Sequence, residues 1–290
     1  MLWKDGRRSD NVEDERGEAG SGGGIRLGGG KLGIGTIIGV LAISYFTGQN
    51  PLQLLGMLQN SGITGATQPT ESVPQSAESN EQADFVSVIL ASTEDTWPKI
   101  LTPFNKQYIQ PKLKLFTGST QTACGAGQAA MGPFYCPADQ KVYLDLDFFQ
   151  DLQTKLGAGG DFARAYVIGH EIGHHVQNLL GTSTKVSQAQ RNVSEEEANK
   201  LSVKLELQAD CYAGVWAKNA NSQKAMLESG DIEEAINAAA AVGDDRLQQS
   251  AGQAVNPENF THGSSKDRMQ WFQTGISTGD LNACNTFKNS

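Results

Sequence analysis

The chain has 290 residues, with 23 basic and 32 acidic side chains and a formal net charge of -9. That length can bury a sizeable core, and that charge argues against a nucleic-acid surface, which needs a basic face. The excess of acid identifies neither an acidic ligand site nor a basic substrate, because solubility alone accounts for it.

Residues 1–31 are polar and glycine-rich, and mix six acids with Lys4, Arg7, Arg8, Arg16, Arg26 and Lys31. They hold little that could form a core, so the expectation is a disordered tail. Leu32–Phe46 is apolar and uncharged. It is short for a bilayer crossing, but no charge follows Lys31 until Glu71, so residues 32–48 are read as one transmembrane segment. A buried core helix and a cleaved signal peptide are the rivals. Basic residues precede the segment and none follows until Lys99. The positive-inside bias then places the N-terminus in the cytoplasm and the remainder outside. Residues 49–83 read as a linker, with a short amphipathic stretch at PLQLLGMLQ.

The folded unit is expected over 84–290, mainly helical with a small antiparallel or mixed sheet, an α+β arrangement. Apolar spacing predicts a helix over 85–101, with Pro98 as a kink or late break. Residues 112–116 read as a strand and 117–137 as a Gly-, Thr- and Cys-rich loop. Residues 142–149 read as a strand that either pairs with an extended substrate or simply lies under the next helix. Cys124, Cys136, Cys211 and Cys284 form no CxxC pair, which argues against a cysteine-based structural zinc site. Either they are reduced thiols, or they pair as Cys124–Cys136 and Cys211–Cys284, as an exported domain would favour.

The helix predicted over 161–181 carries His170-Glu171-Ile172-Gly173-His174. Histidines four apart lie one above the other, so both imidazoles reach one Zn²⁺, while Glu171 is offset toward the water that the ion activates. Asp161 is a candidate cap and Gly181 a candidate stop. A third ligand should come from another element. The helix predicted over 194–219, with Ser194 and Glu197 as a capping box, offers Glu206. Asp210 lies one turn on, placed to take a proton from the outer nitrogen of a ligand histidine. These acids sit among Leu205, Leu207, Ala209, Tyr212 and Trp216, where a carboxylate needs partners. Further helices are expected over 231–249 and 266–275. His262 and Arg268 are candidate donors to an oxyanion or a substrate carbonyl. His175 points about 100° away from the ligand face and reads as structural.

These motifs together resemble the bacterial neutral zinc metallopeptidase family with a single N-terminal membrane segment. The likeness spans SDNVEDERG, TACGAGQAAMGPFYCPAD, VYLDLDFF, YVIGHEIGHHVQNLLG, ELQADCYAGVWA and FTHGSSKDRMQWFQTG. A more distant likeness is to CAAX prenyl proteases and HtpX-type proteases, although Gly263 stands where those enzymes usually have proline. The resemblance implies a zincin-like domain with one catalytic zinc on His170, His174 and Glu206. It also implies Glu171 as base, and His262 and Arg268 against the substrate carbonyl. The expected protein is a zinc peptidase of the inner membrane, acting on a peptide or protein outside the cytoplasm. The alternatives are a hydrolase of a non-protein or cell-wall amide, or an inactive metal-containing binding module.

Overall fold

The computed structural model describes residues 1–17 and 75–288. The expected membrane segment 32–48 lies outside the described residues, as do the tail beyond Gly17 and most of the linker. Among the described residues, no helix is long and apolar enough to cross a membrane. In chain order the elements are β1 (Val12–Asp14), α1 (Ala77–Leu101), β2 (Lys112–Phe116), β3 (Ser119–Thr122), β4 (Gly125–Gln128), β5 (Phe134–Cys136) and β6 (Lys141–Asp145). Then follow α2 (Asp147–Thr154), α3 (Asp161–Leu180), α4 (Thr182–Gln190), α5 (Glu195–Gln223), α6 (Asp231–Ala241), α7 (Asp244–Ser250) and α8 (Ser265–Thr278). The protein is mainly helical with a small mixed sheet, as the α+β reading anticipates.

The sheet runs β1-β2-β6-β5, and β3 and β4 form a separate hairpin. β1, β2 and β6 are parallel, with Val12 opposite Leu113 and Leu113 opposite Val142. β5 is antiparallel to β6. This order corrects two expectations. Residues 1–17 are not a disordered tail: Trp3 is buried and Val12–Asp14 form an edge strand, because the polar segment finds its partners on α1 and β2. The strand read over 142–149 ends at Asp145, and α2 begins at Asp147. β2 pairs along its whole length and β5 takes the other side over Lys141–Tyr143, so most of this strand is an interior one rather than a free edge.

One apolar core joins α1, the sheet and α3, α5, α6 and α8, with Trp97, Tyr166, Trp216 and Phe272 among its large buried side chains. Ser194 caps α5 by accepting from the Glu197 amide, and three glutamates fill the first turn, where the helix dipole favours negative charge. The start of α3 differs from expectation. Gly160 is its cap residue, the Phe162 amide donates to Glu234 Oε2 at 3.0 Å, and Asp161 accepts from Trp3. Gly181 ends α3 in the left-handed region, as read. The helix expected over 231–249 breaks at Val242–Gly243 into α6 and α7, and Asp231 accepts the Glu228 amide. Both cysteine pairs, Cys124–Cys136 and Cys211–Cys284, are disulfides. The second ties α5 to the end of the chain after α8.

Two glycines set how closely the central helices approach. A Cβ on Gly173 of α3 would stand 2.9 Å from the Ala209 carbonyl oxygen and 3.1 Å from its Cα. A Cβ on Gly275 of α8 would overlap the Cys211 carbonyl. Glycine therefore brings α5 against α3 on one side and α8 on the other, at backbone contact. Gly173→Ala is expected to push α3 and α5 apart, costing about 1–3 kcal/mol. The check is a lower denaturation midpoint in urea.

Candidate metal centre

The α3–α5 contact brings three donors together. His170 Nε2 lies 3.1 Å from Glu206 Oε2 and 3.2 Å from His174 Nε2, and His174 Nε2 lies 3.4 Å from Glu206 Oε1. Ligands about 2.0–2.2 Å from a tetrahedral zinc stand roughly 3.3–3.5 Å from one another, so the spacing suits a single small cation. Among the described residues this is the one group of three or more such side chains placed to hold a metal.

The hydrogen bonds behind the donors also fit. His170 Nδ1 is 2.8 Å from Asp210 Oδ1, and His174 Nδ1 is 2.9 Å from Gln177 Oε1. Each outer nitrogen thus donates its proton to an oxygen, leaving both Nε2 lone pairs aimed at the Glu206 carboxylate. Two lone pairs and an anion converge with no donor between them, an arrangement that a cation satisfies. A proton competes for the same place. Burial opposes charge on His170, yet Asp210 and Glu206 lift its pKa to about 10. Metal uptake therefore displaces protons.

Glu171, on the turn between the two histidines, is 7% exposed. Burial pushes its carboxyl above the usual carboxylate range, against the pull of His170 and His174. His262 stands within the electrostatic reach of Glu206, and its side chain is 43% exposed. A residue without a sequence signal fixes it. Asp244, at the first turn of α7, accepts the amides of Thr261, His262 and Gly263 on Oδ2 at 2.7–2.9 Å, and His262 Nδ1 lies 3.2 Å from Oδ1. Burial works to lower the His262 pKa, but Asp244 and Glu206 leave it raised.

Arg268 is placed differently from the expected oxyanion donor. It is 3% exposed, and donates from Nε to Asp210 Oδ2 at 2.8 Å and from Nη2 to Asp210 Oδ1 at 2.9 Å. This fork lies on the Nδ1 side of His170, behind the ring, because α8 packs against the outer face of α5. Asp210, fully buried, also accepts from Tyr166 Oη at 2.5 Å. Tyr166 and Gln177 were open to sequence reasoning, since they stand four residues before His170 and three after His174, on the same helix face. Asp244 was not, lying 18 residues before His262 on another element.

His175 sits outside the donor cluster. Its ring bridges Tyr135 Oη at 3.0 Å and the Ile109 carbonyl at 2.6 Å, pinning α3 to β5 and to the loop before β2. Burial, only partly offset by the Ile109 bond, lowers its pKa to about 4.

The fold and site define a helical α+β protein with a three-donor centre of the His-Glu-x-x-His kind. A family model described as "Putative neutral zinc metallopeptidase" matches residues 1–287, and the chain belongs to this family. "Uncharacterized protein YpfJ" of Escherichia coli strain K12 is 50% identical over 294 residues, covering all of both chains. "Uncharacterized protein Rv2575" of Mycobacterium tuberculosis H37Rv is 45% identical over 213 residues, 70% of this chain and 71% of that protein. No solved structure matches the chain. The family implies zinc and supports a peptidase-like hydrolase.

Two expectations follow. Arg268→Ala leaves Asp210 buried without its cation, and should cost about 3–5 kcal/mol of stability and about 10–100-fold in zinc affinity. Urea denaturation and competition with a chelating dye measure the two. Below pH 6.5 the unfolded chain protonates His175 while the folded chain does not until about 4. Unfolding then takes up a proton, so stability falls as pH drops through that window, by roughly 3 kcal/mol from this one group. The loss should be shallower in His175→Gln, measured by urea midpoints from pH 7 to 4.

Proposed function

We propose that the chain is a zinc-dependent peptidase that hydrolyses peptide bonds with Glu171 as general base. The observation that carries this reading is the convergence of His170, His174 and Glu206 beside a buried Glu171. Zinc held there would supply Lewis acidity, polarising a carbonyl and making water a better nucleophile. The remaining work falls to side chains. Glu171, raised by burial, takes the proton of the attacking water and hands it to the leaving amine. His262, oriented by Asp244, donates to the oxygen where negative charge grows.

Asp210, Tyr166 and Arg268 act one step removed, fixing the His170 ring and the proton on Nδ1. A peptide or protein is the proposed substrate, and it would reach the sheet at β5 rather than β6. β5 has one neighbour among the described strands, and its Tyr135 touches His175 and Asn178 on the metal helix. Among the described residues three ligating side chains converge, and three protein ligands are what a catalytic zinc takes, which favours a hydrolase over a closed structural site or an inert binding module.

Glu171→Gln is expected to keep stoichiometric zinc while hydrolysis of an unfolded protein substrate falls about 10²–10⁴-fold. Wild-type cleavage by this variant would overturn the assignment of the base. His262→Ala should lower kcat by about 10²–10³-fold with zinc content unchanged, read from steady-state kinetics and elemental analysis.

A further inference from the structure

Residues 1–17 dock on the 75–288 body through contacts spread over the whole segment. Near its start, the buried Trp3 ring packs edge-on against Phe85 of α1, with centroids 5.2 Å apart, and its indole donates to Asp161 in the first turn of α3 at 3.1 Å. In the middle, Glu94 of α1 is 4% exposed and takes Arg7 Nη2 at 2.8 Å, Ser9 Oγ at 2.5 Å and Asn11 Nδ2 at 2.8 Å. All three of these partners belong to the N-terminal segment. Without it, α1 would present a carboxylate set among core residues with those three bonds lost. Farther on, β1 completes the sheet edge, and Glu13 and Glu15 pair with Lys141 and Lys114. At the end, Arg16 Nη1 reaches the Ser79 carbonyl and hydroxyl, each at 2.6 Å, in the first turn of α1.

We infer that residues 1–17 and 75–288 occupy the same side of any membrane that the chain touches. The Arg16–Ser79 contact adds that the described chain stops and resumes at one place. A bilayer between the two parts would break β1 from β2, strip Glu94 and withdraw Trp3 from the core. The orientation suggested by the positive-inside bias, with the N-terminus in the cytoplasm and the body outside, is therefore incompatible with the assembled fold. A chain whose flanks meet in this way crosses a bilayer an even number of times or not at all. Exchange of the segment between two copies would impose the same sidedness. This inference rests on the fold and is independent of the hydrolase reading.

The experiment introduces Asp10→Cys and Glu233→Cys singly into the full-length chain. Both positions are exposed, and one lies in each part. Cells are treated with a membrane-impermeant maleimide before and after permeabilisation. The expected result is one pattern for both sites, either labelled in intact cells or labelled only after permeabilisation. One site labelled in intact cells and the other only after permeabilisation would overturn the inference. Limited proteolysis of the purified full chain tests the docking itself. Cleavage within residues 1–17 should be slow in the wild type and at least tenfold faster in Arg7→Glu. Equal rates would remove the basis for the shared side.

Discussion

An ionised carboxylate with no solvent access lies at the centre of this protein. Asp210 is held by the two-pronged guanidinium of Arg268, the hydroxyl of Tyr166 and the ring of His170. A single charge so buried would be costly, and the set is tolerable because both carboxylate oxygens accept, Oδ1 from three groups and Oδ2 from Arg268. Its members come from α3, α5 and α8, so the three helices must hold their register for any of the partners to be satisfied. The metal donors form the front of this array and inherit its rigidity. His170 belongs to both, one nitrogen in the network and the other toward the ion.

The helix spacing is what makes such an array possible. Gly173 faces the Ala209 backbone and Gly275 faces the Cys211 backbone, so α5 is sandwiched at distances that a side chain would forbid. The Cys211–Cys284 disulfide starts from the same turn of α5 and fastens it to the segment following α8. Small residues and a covalent tie therefore act on the helix that carries both Glu206 and Asp210. Freedom lies on the other side of the ligands, where His262 rides on a loop clasped by Asp244 and keeps much of its side chain in solvent. The donors are thus braced from behind, while His262 on the other side stays partly exposed.

The N-terminal segment extends this logic to the other end of α3. Trp3 bonds Asp161 in the first turn of that helix, while Glu234 of α6 receives the Phe162 amide. The start of the metal helix is thus held by two distant parts of the chain. His175 and Tyr135 restrain its middle against β5.

Much of the site was legible because it obeys local periodicity. The four-residue step from His170 to His174, the same step from Glu206 to Asp210, the glycine stop at 181 and the Ser194 cap are all consequences of helix geometry, which a sequence spells out directly. The acids of α5 also announced themselves, since carboxylates among Leu207, Ala209, Tyr212 and Trp216 need partners. What local rules could not decide was which partners. Arg268 read as a donor to substrate, and only the packing of α8 on the outer face of α5 turned it toward Asp210. Residues 142–145 carried the pattern of a strand in any position, and only the sheet order placed them in the centre instead of at an edge. Asp244 and the N-terminal segment left no periodic trace, because their roles depend on polar groups far away in the chain. Residues 1–17 look too polar to fold, and they fold because α1 and β2 present a buried acid and an open strand edge to receive them. Sequence determined which side chains share a helix face; tertiary structure alone decided which faces meet, because buried polar groups are satisfied by whatever the whole chain brings to them.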